Sequence, residues 1–238
     1  HPPLYYIALH YMIKLFGDSE TALRSLSALF GIASIPLIFL LGTNLYSRQE
    51  GLIGSGLLAF LWCPIYYSQE ARSYSLVLFF SLLSMLIWFK AYRLAKGENK
   101  SRFAYILSYA VTAVILSYLH YFGGLLVAIQ GILAIILALR RKKLFKKTIL
   151  CYSCIGMAFL PWLYFSFSQS GSGAGSYISA PHIRFIGYYF GFLYNKSIII
   201  LFIVSIVYFV WFSNYLKKAC VREWKSDSFI IDTLLLLH

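Results

Sequence analysis

Charged residues are scarce in this chain of 238 residues, and acidic residues are the scarcest. Only 12% of the residues are charged, with 8 Asp or Glu against 21 Lys or Arg. A soluble domain carries about a quarter charged residues, so this composition excludes an ordinary soluble fold. Because the chain is also 60% apolar and 19% aromatic, the sequence predicts a polytopic membrane protein.

Cysteine is scarce as well, and the four that occur lie in or beside apolar runs: Cys63, Cys151, Cys154 and Cys220. Cys151 and Cys154 have the spacing of a redox or zinc pair, but no second pair or histidine lies near them in sequence. We therefore expect structural cysteines within the membrane. Rossmann, P-loop and zinc-finger patterns are missing too, as are repeats of fixed period.

The long apolar runs predict an all-α fold, a bundle of transmembrane helices with about seven complete spans and a truncated eighth. The expected spans are residues 22–46, 51–67, 73–92, 103–119, 121–139, 148–167 and 198–216, with another that opens at residue 228. A single helix over 103–139 would be about 55 Å long, far beyond a hydrocarbon core of about 30 Å. The run must fold back near His120.

The two ends of the chain predict a fragment of a longer protein, since it begins with His1 and ends inside an apolar run. We expect residues 1–238 to form a single membrane domain. Residues 1–20 contain an apolar stretch that is too short to span the membrane, so we expect an exoplasmic interfacial segment that lies along the membrane plane. The long loop 168–197 is a candidate exoplasmic lid, and a disordered connector with an aromatic belt fits its composition equally well.

Basic residues divide unevenly between the two sets of alternate loops. One set holds all but five of the 21, the five being Lys14, Arg24, Arg72, Arg184 and Lys196. The positive-inside rule makes the richer set cytoplasmic. The net charge of +13 is then a signal of topology and of contact with membrane lipids, and no nucleic-acid partner is expected. This topology predicts a multi-pass integral membrane protein.

The sparsely charged exoplasmic face collects the unusual polar groups. Glu70 and Arg72 stand there between two apolar runs, close to hydrocarbon, where ionisable groups are costly and indicate function. In a helix these two side chains would point to different sides, whereas Glu70 and Tyr74 would share a face. The alternative is that Arg72 merely reaches lipid headgroups while Glu70 sits in water.

Four short motifs carry a resemblance to a known family. They are HPPLYY at residues 1–6, FGDSE at 16–20, YSQEARSY at 67–74 and LHYFGG at 119–124. Over residues 1–135 their order and spacing resemble the GT-C membrane glycosyltransferases. More narrowly, they are similar to the bacterial relatives of protein O-mannosyltransferases and of lipid A aminoarabinose transferases.

The resemblance implies an enzyme that moves a sugar from a polyprenyl-phosphate carrier to a hydroxyl of a protein, lipid or glycan at the exoplasmic face. It implies a catalytic role for Glu70, with the family's main catalytic aspartate upstream of residue 1, so that the fragment alone is expected to be inactive. It also implies a location in the bacterial cytoplasmic membrane and a contact between His1 and the donor phosphate. The candidates for donor-phosphate or substrate contacts are then His1, Arg72, Tyr74, His120, Tyr121 and Arg184, and Arg72 and Arg184 are further cations at this face. A divalent metal held by Glu70 and His120 is a further hypothesis.

Two alternatives remain open from the sequence. A transporter or flippase would place ionisable groups near mid-membrane and break helices at paired positions, whereas Pro36 and Pro64 are not symmetrically repeated. A membrane scaffold without activity is the other alternative, because the catalytic first loop of the resembling family is not in this sequence.

Overall fold

The computed structural model describes residues 2–94, 102–139, 142–169, 185–193 and 197–221. Within these ranges the chain is helical and contains no strand, which confirms the all-α prediction. The helices are α1 Leu4–Phe16, α2 Glu20–Leu45, α3 Arg48–Phe60, α4 Trp62–Ser68, α5 Tyr74–Leu94, α6 Arg102–Leu119, α7 Tyr121–Ala138, α8 Lys142–Gln169, α9 Phe185–Leu193 and α10 Ile198–Val221.

Four of the described helices, α2, α5, α7 and α8, are long and apolar enough to cross a membrane. The expected span 51–67 is instead two helices, α3 and α4, that meet at 59° and together could make a fifth. Helices α1 and α6 are apolar but shorter. The chain is an integral membrane protein, but the predicted count of seven spans is not confirmed, and residue 228 lies outside the described ranges.

Helix ends follow signals that are visible in the sequence. The Ser19 side chain accepts a hydrogen bond from the Ala22 N–H at 3.3 Å and caps α2, as expected of a serine at a helix start. Gly17 ends α1 with a φ of 84°, a conformation that suits glycine. The predicted reversal near His120 is confirmed, because α6 ends at Leu119 and α7 begins at Tyr121.

The chain divides into two compact units, residues 1–182 and residues 183–238. In the first unit α2 packs on α3 and α5, α5 packs on α6, and α6 packs on α7 and α8. A cluster of buried side chains joins α1, α2, α5 and α6: Tyr5, Leu26, Leu76 and Leu119. The second unit contains α9 and α10.

A buried ring of hydrogen bonds ties four helices of the first unit together. The Trp88 indole donates to the Tyr152 hydroxyl at 3.2 Å, which donates to the Tyr109 hydroxyl at 2.8 Å. Tyr109 donates to the Gln130 side-chain carbonyl at 2.9 Å, and the Gln130 amide donates to the Ser84 hydroxyl at 3.2 Å. Since Ser84 and Trp88 both lie on α5, the ring closes through α5, α6, α7 and α8.

The antiparallel helices of the first unit give it two unlike ends. The polar end holds the start of α2, the turn between α4 and α5, and the turn at His120. The basic end holds Arg48 at the start of α3 and Arg93, whose guanidinium donates to the Asn44 carbonyl at 2.6 Å. The two ends therefore separate the described basic residues in the way that the loop pattern predicts.

Candidate functional site

The turn between α4 and α5 carries the two charged residues that the sequence singles out. It is not helical: the Gln69 N–H donates to the Tyr66 carbonyl at 3.1 Å and the Arg72 N–H to the Glu70 carbonyl at 2.8 Å. This turn brings both side chains to one side, where Arg72 Nε lies 3.4 Å from Glu70 Oε2. The prediction that the two side chains point to different sides applies to a helix, and this turn is not helical.

Glu70 and Arg72 share an open hollow of about 350 Å³ with the first turns of α2. A second ion pair lines the same hollow, with Arg24 Nη2 at 2.6 Å from Glu20 Oε1. Glu20 thus starts α2, as the sequence indicates, and also faces the site. The hollow is lined by two carboxylates and two guanidinium groups, besides Leu23 and Ala71.

The ion pair is accessible and is supported by tyrosines. Arg72 is 65% exposed and Glu70 is 27% exposed. Tyr66 forms a hydrogen bond with the Glu70 carboxylate. A hydrogen bond to the Tyr74 hydroxyl and the nearby Glu70 charge raise the pKa of Arg72. Exposed ion pairs contribute little to stability, so an incoming anion can replace Glu70 as the partner of Arg72 at low cost.

His120 lies behind Tyr74 and is not among the side chains that line the hollow. It is 8% exposed, with its ring centroid 5.9 Å from that of Tyr74 and 5.1 Å from that of Phe122. Its Nδ1 accepts a hydrogen bond from the Phe122 N–H at 3.2 Å. Burial lowers the pKa of His120 below its ordinary value of 6.5, which favours a neutral ring with its proton on Nε2.

Tyr121 is directed away from this group, toward α8. Its hydroxyl lies 2.9 Å from the Ser166 hydroxyl. Its ring is 6.4 Å from that of His120. The structure therefore brings Glu70, Arg72 and Tyr74 together with His120 in a row of contacts, and Tyr121 is joined to this row through its contact with His120.

An apolar groove of about 330 Å³ begins beside the same turn. Its walls come from α2, α3, α4 and α5, at the point where α3 and α4 break. Tyr67 and Tyr74, whose rings are 4.5 Å apart, stand between the groove and the turn. Polar and apolar surfaces thus meet within one turn of chain.

Two of the predicted site residues, His1 and Arg184, lie outside the described ranges. So does most of the predicted lid, residues 170–184 and 194–196. Within the described ranges no three His, Cys, Asp or Glu side chains lie close enough together to hold a metal ion. The metal at Glu70 and His120 stays a hypothesis.

Sequence reasoning missed the residues that hold the turn in place. The Ser27 hydroxyl on α2 donates to the Arg72 carbonyl at 3.1 Å, and the Ser75 hydroxyl donates to the Tyr67 carbonyl at 3.0 Å. Both serines are buried. A serine in an apolar helix is a recognisable signal of a polar contact, but its partner 45 residues away is a property of the packing.

Apolar helices that gather acidic, basic and aromatic side chains at one end define an integral membrane protein with a candidate site at that end. The family model of the dolichyl-phosphate-mannose-protein mannosyltransferases matches residues 1–165, which include every described site residue. The chain belongs to this family and is a membrane glycosyltransferase of the GT-C type. No curated protein and no solved structure gives a significant match.

Proposed function

We propose that this protein transfers a sugar from a polyprenyl-phosphate carrier to an acceptor hydroxyl at the exoplasmic face of the membrane. The observation that carries the proposal is the hollow that Glu70 and Arg72 share at the polar end, beside an apolar groove. The family model supports the reaction class. The acceptor belongs to a protein, a lipid or a glycan.

Arg72 is suited to the donor phosphate. When the sugar leaves a lipid phosphate, the phosphate departs with its negative charge, and a fixed cation lowers the energy of that transition state. A guanidinium can hold two phosphate oxygens at once, and Arg72 is exposed and forms an ion pair with a neighbouring, accessible carboxylate. Arg24 in the same hollow adds positive charge. His1 and Arg184 stay predicted phosphate contacts.

Glu70 is suited to the acceptor. The acceptor hydroxyl forms a bond to the anomeric carbon while the bond from that carbon to the phosphate oxygen breaks, and a carboxylate base takes the hydroxyl proton. The Tyr66 hydroxyl, hydrogen-bonded to Glu70, orients the carboxylate. Binding of phosphate to Arg72 would free Glu70 from its ion pair and make it available as a base.

The apolar groove is suited to the isoprenoid chain of the donor. Apolar walls are as free of water as the bilayer interior, so an isoprenoid chain that moves from the bilayer into this groove loses no hydrophobic stabilisation. Tyr67 and Tyr74 lie where chain and phosphate would join. Tyr74, His120 and Tyr121 remain predicted to contact the donor, with Tyr74 the nearest to Arg72.

The proposal is tested by removing one charge at a time. In membranes that contain the full-length gene product, Glu70→Gln and Arg72→Ala should each lower the transfer of radiolabelled sugar from polyprenyl phosphate by about 100-fold or more, as expected for a base and a charge-stabilising group. The control variants are Glu50→Gln and Arg48→Ala, which remove one carboxylate and one guanidinium at the basic end. Each should keep the rate of transfer within about twofold of wild type.

Membrane levels of all four variants should equal those of wild type, which would show that insertion is intact. Wild-type transfer by both Glu70→Gln and Arg72→Ala would refute the assigned site. A wild-type protein that transfers no sugar from any polyprenyl-phosphate donor would refute the proposed function itself.

A further inference from the structure

Ser27 holds the turn that carries the charged pair. It lies on α2 with no exposed surface, and its hydroxyl donates to the backbone carbonyl of Arg72 at 3.1 Å. The N–H of Arg72 is bound as well, to the Glu70 carbonyl at 2.8 Å. The backbone of Arg72 is therefore fixed on both sides, once within the turn and once to a neighbouring helix.

The other serines of α2 that have hydrogen bonds behave differently. Ser34, which is also fully buried, donates to the Phe30 carbonyl at 2.7 Å, and Ser25 donates to the Ala22 carbonyl at 2.8 Å. Bonds of this kind stay within one helix and are the usual way in which serine satisfies its hydroxyl there. Ser27 reaches out of its helix to the turn, so its contact is not explained by the local needs of α2.

We propose that Ser27 is a positioning residue for the transfer reaction. The inference rests on the proposed function, because it assigns this residue a role through Glu70 and Arg72. A charged pair on an exposed turn keeps its geometry only if the backbone is held, and a displacement of about 1 Å can cost 100-fold in rate.

The first test compares two buried serines on the same helix. Ser27→Ala removes one hydrogen bond to the turn and should lower kcat/KM for sugar transfer about five- to tenfold, the size of effect that one such bond supports. Ser34→Ala removes an equally buried hydroxyl that does not touch the turn, and it should stay within about twofold of wild type. Equal losses in the two variants would assign Ser27 a merely structural role and overturn the inference.

A second measurement reads the turn without any catalysis. In a variant that lacks the native cysteines, Ala71→Cys places a thiol between Glu70 and Arg72, and its reaction rate with a membrane-impermeant maleimide reports the mobility of the turn. Ser27→Ala should raise this rate and Ser34→Ala should not. If wild-type protein transfers no sugar, the proposed function fails and labelling alone decides whether Ser27 holds the turn. Labelling that Ser27→Ala leaves unchanged overturns the inference.

Discussion

Single neutral residues hold the charged residues of the polar end in place. Glu70 is bound by Tyr66, and Arg72 by Tyr74 through its side chain and by Ser27 through its backbone. Neutral hydroxyls and rings can be buried at low cost when they are paired, whereas charges cannot. The sequence can therefore keep the ion pair accessible to a ligand while Ser27, which holds the backbone of Arg72, is buried between helices.

His120 gives a prediction about pH. Its Nδ1 accepts the Phe122 N–H at the start of α7, and protonation would remove that acceptor. Because burial lowers the pKa of His120 from 6.5, the unfolded chain binds a proton at a pH where the folded chain does not. The free energy of unfolding should be at its full value above about pH 6.5 and fall as the pH drops from there through the lowered pKa.

The measurement is the midpoint of thermal unfolding in detergent between pH 5 and pH 8. His120→Asn keeps an oxygen that can cap α7 but does not titrate, so its midpoint should change less over this range than that of wild type. Parallel curves for the two proteins would show that His120 does not supply the dependence.

The charged residues of the candidate site are easier to find in the sequence than the residues that surround them. Glu70 and Arg72 can be found because charges beside hydrocarbon are rare and costly. The ion pair could not be predicted, since its geometry depends on a non-helical turn that hydropathy does not reveal. Ser27 could not be predicted either, because only the packing of α2 on that turn shows its partner.

Close packing of individual helices depends on small residues. Gly51 on α3 faces α2, and a Cβ added there would lie 2.6 Å from the Phe39 carbonyl oxygen and 2.6 Å from the Thr43 hydroxyl. On α2, a Cβ added at Gly42 would lie 2.7 Å from the Gly51 Cα. Small residues at matching positions let two helix backbones approach in a membrane.

Gly51→Ala is therefore expected to separate α2 from α3. Overpacking costs about 1–3 kcal/mol, so the midpoint of thermal unfolding in detergent should fall. The control is Gly56→Ala on the same helix, where an added Cβ meets nothing within 4 Å and the better helix propensity of alanine should stabilise slightly. An equal fall in both variants would mean that the contact between the two helices is not the cause.

The reversal of the chain at His120 can be predicted from the length of the apolar run 103–139, but the break between α3 and α4 cannot be predicted from length. Pro64 supplies the physical reason for the break: it has no N–H to bond to the Phe60 carbonyl and its ring crowds that oxygen, and α3 ends at Phe60. Yet α2 continues through Pro36. A proline thus marks where a helix can break, and the surrounding packing decides whether it does.

At the scale of the first unit, the described basic residues lie mostly at one end and the candidate site lies at the other. Arg48 and Arg93 lie at the basic end, and Glu70 and Arg72 at the polar end. If the basic end is cytoplasmic, as the positive-inside rule predicts, the site faces the exoplasm. Composition alone was enough to predict a membrane protein. The number of crossings was not predictable, because broken and short helices have the same hydropathy as spans.

Orientation is tested with one thiol at each end of a protein without native cysteines. Asp18→Cys, in the exposed turn before α2, should react with a membrane-impermeant maleimide in intact cells, and Gln49→Cys, exposed near the start of α3, should not. Both should react after the membrane is permeabilised. Labelling of Gln49→Cys alone in intact cells would invert the predicted orientation.

The ring of hydrogen bonds through α5, α6, α7 and α8 has a further consequence for charge movement through the bundle. The Trp88 indole can only donate, and at the other end the Ser84 hydroxyl donates to the Ser81 carbonyl, which can only accept. The hydroxyls between them all donate in one direction. A Grotthuss relay must turn each of its members over after a proton has passed, and a donor-only group at one end with an acceptor-only group at the other opposes that reversal, which favours a fixed structural network.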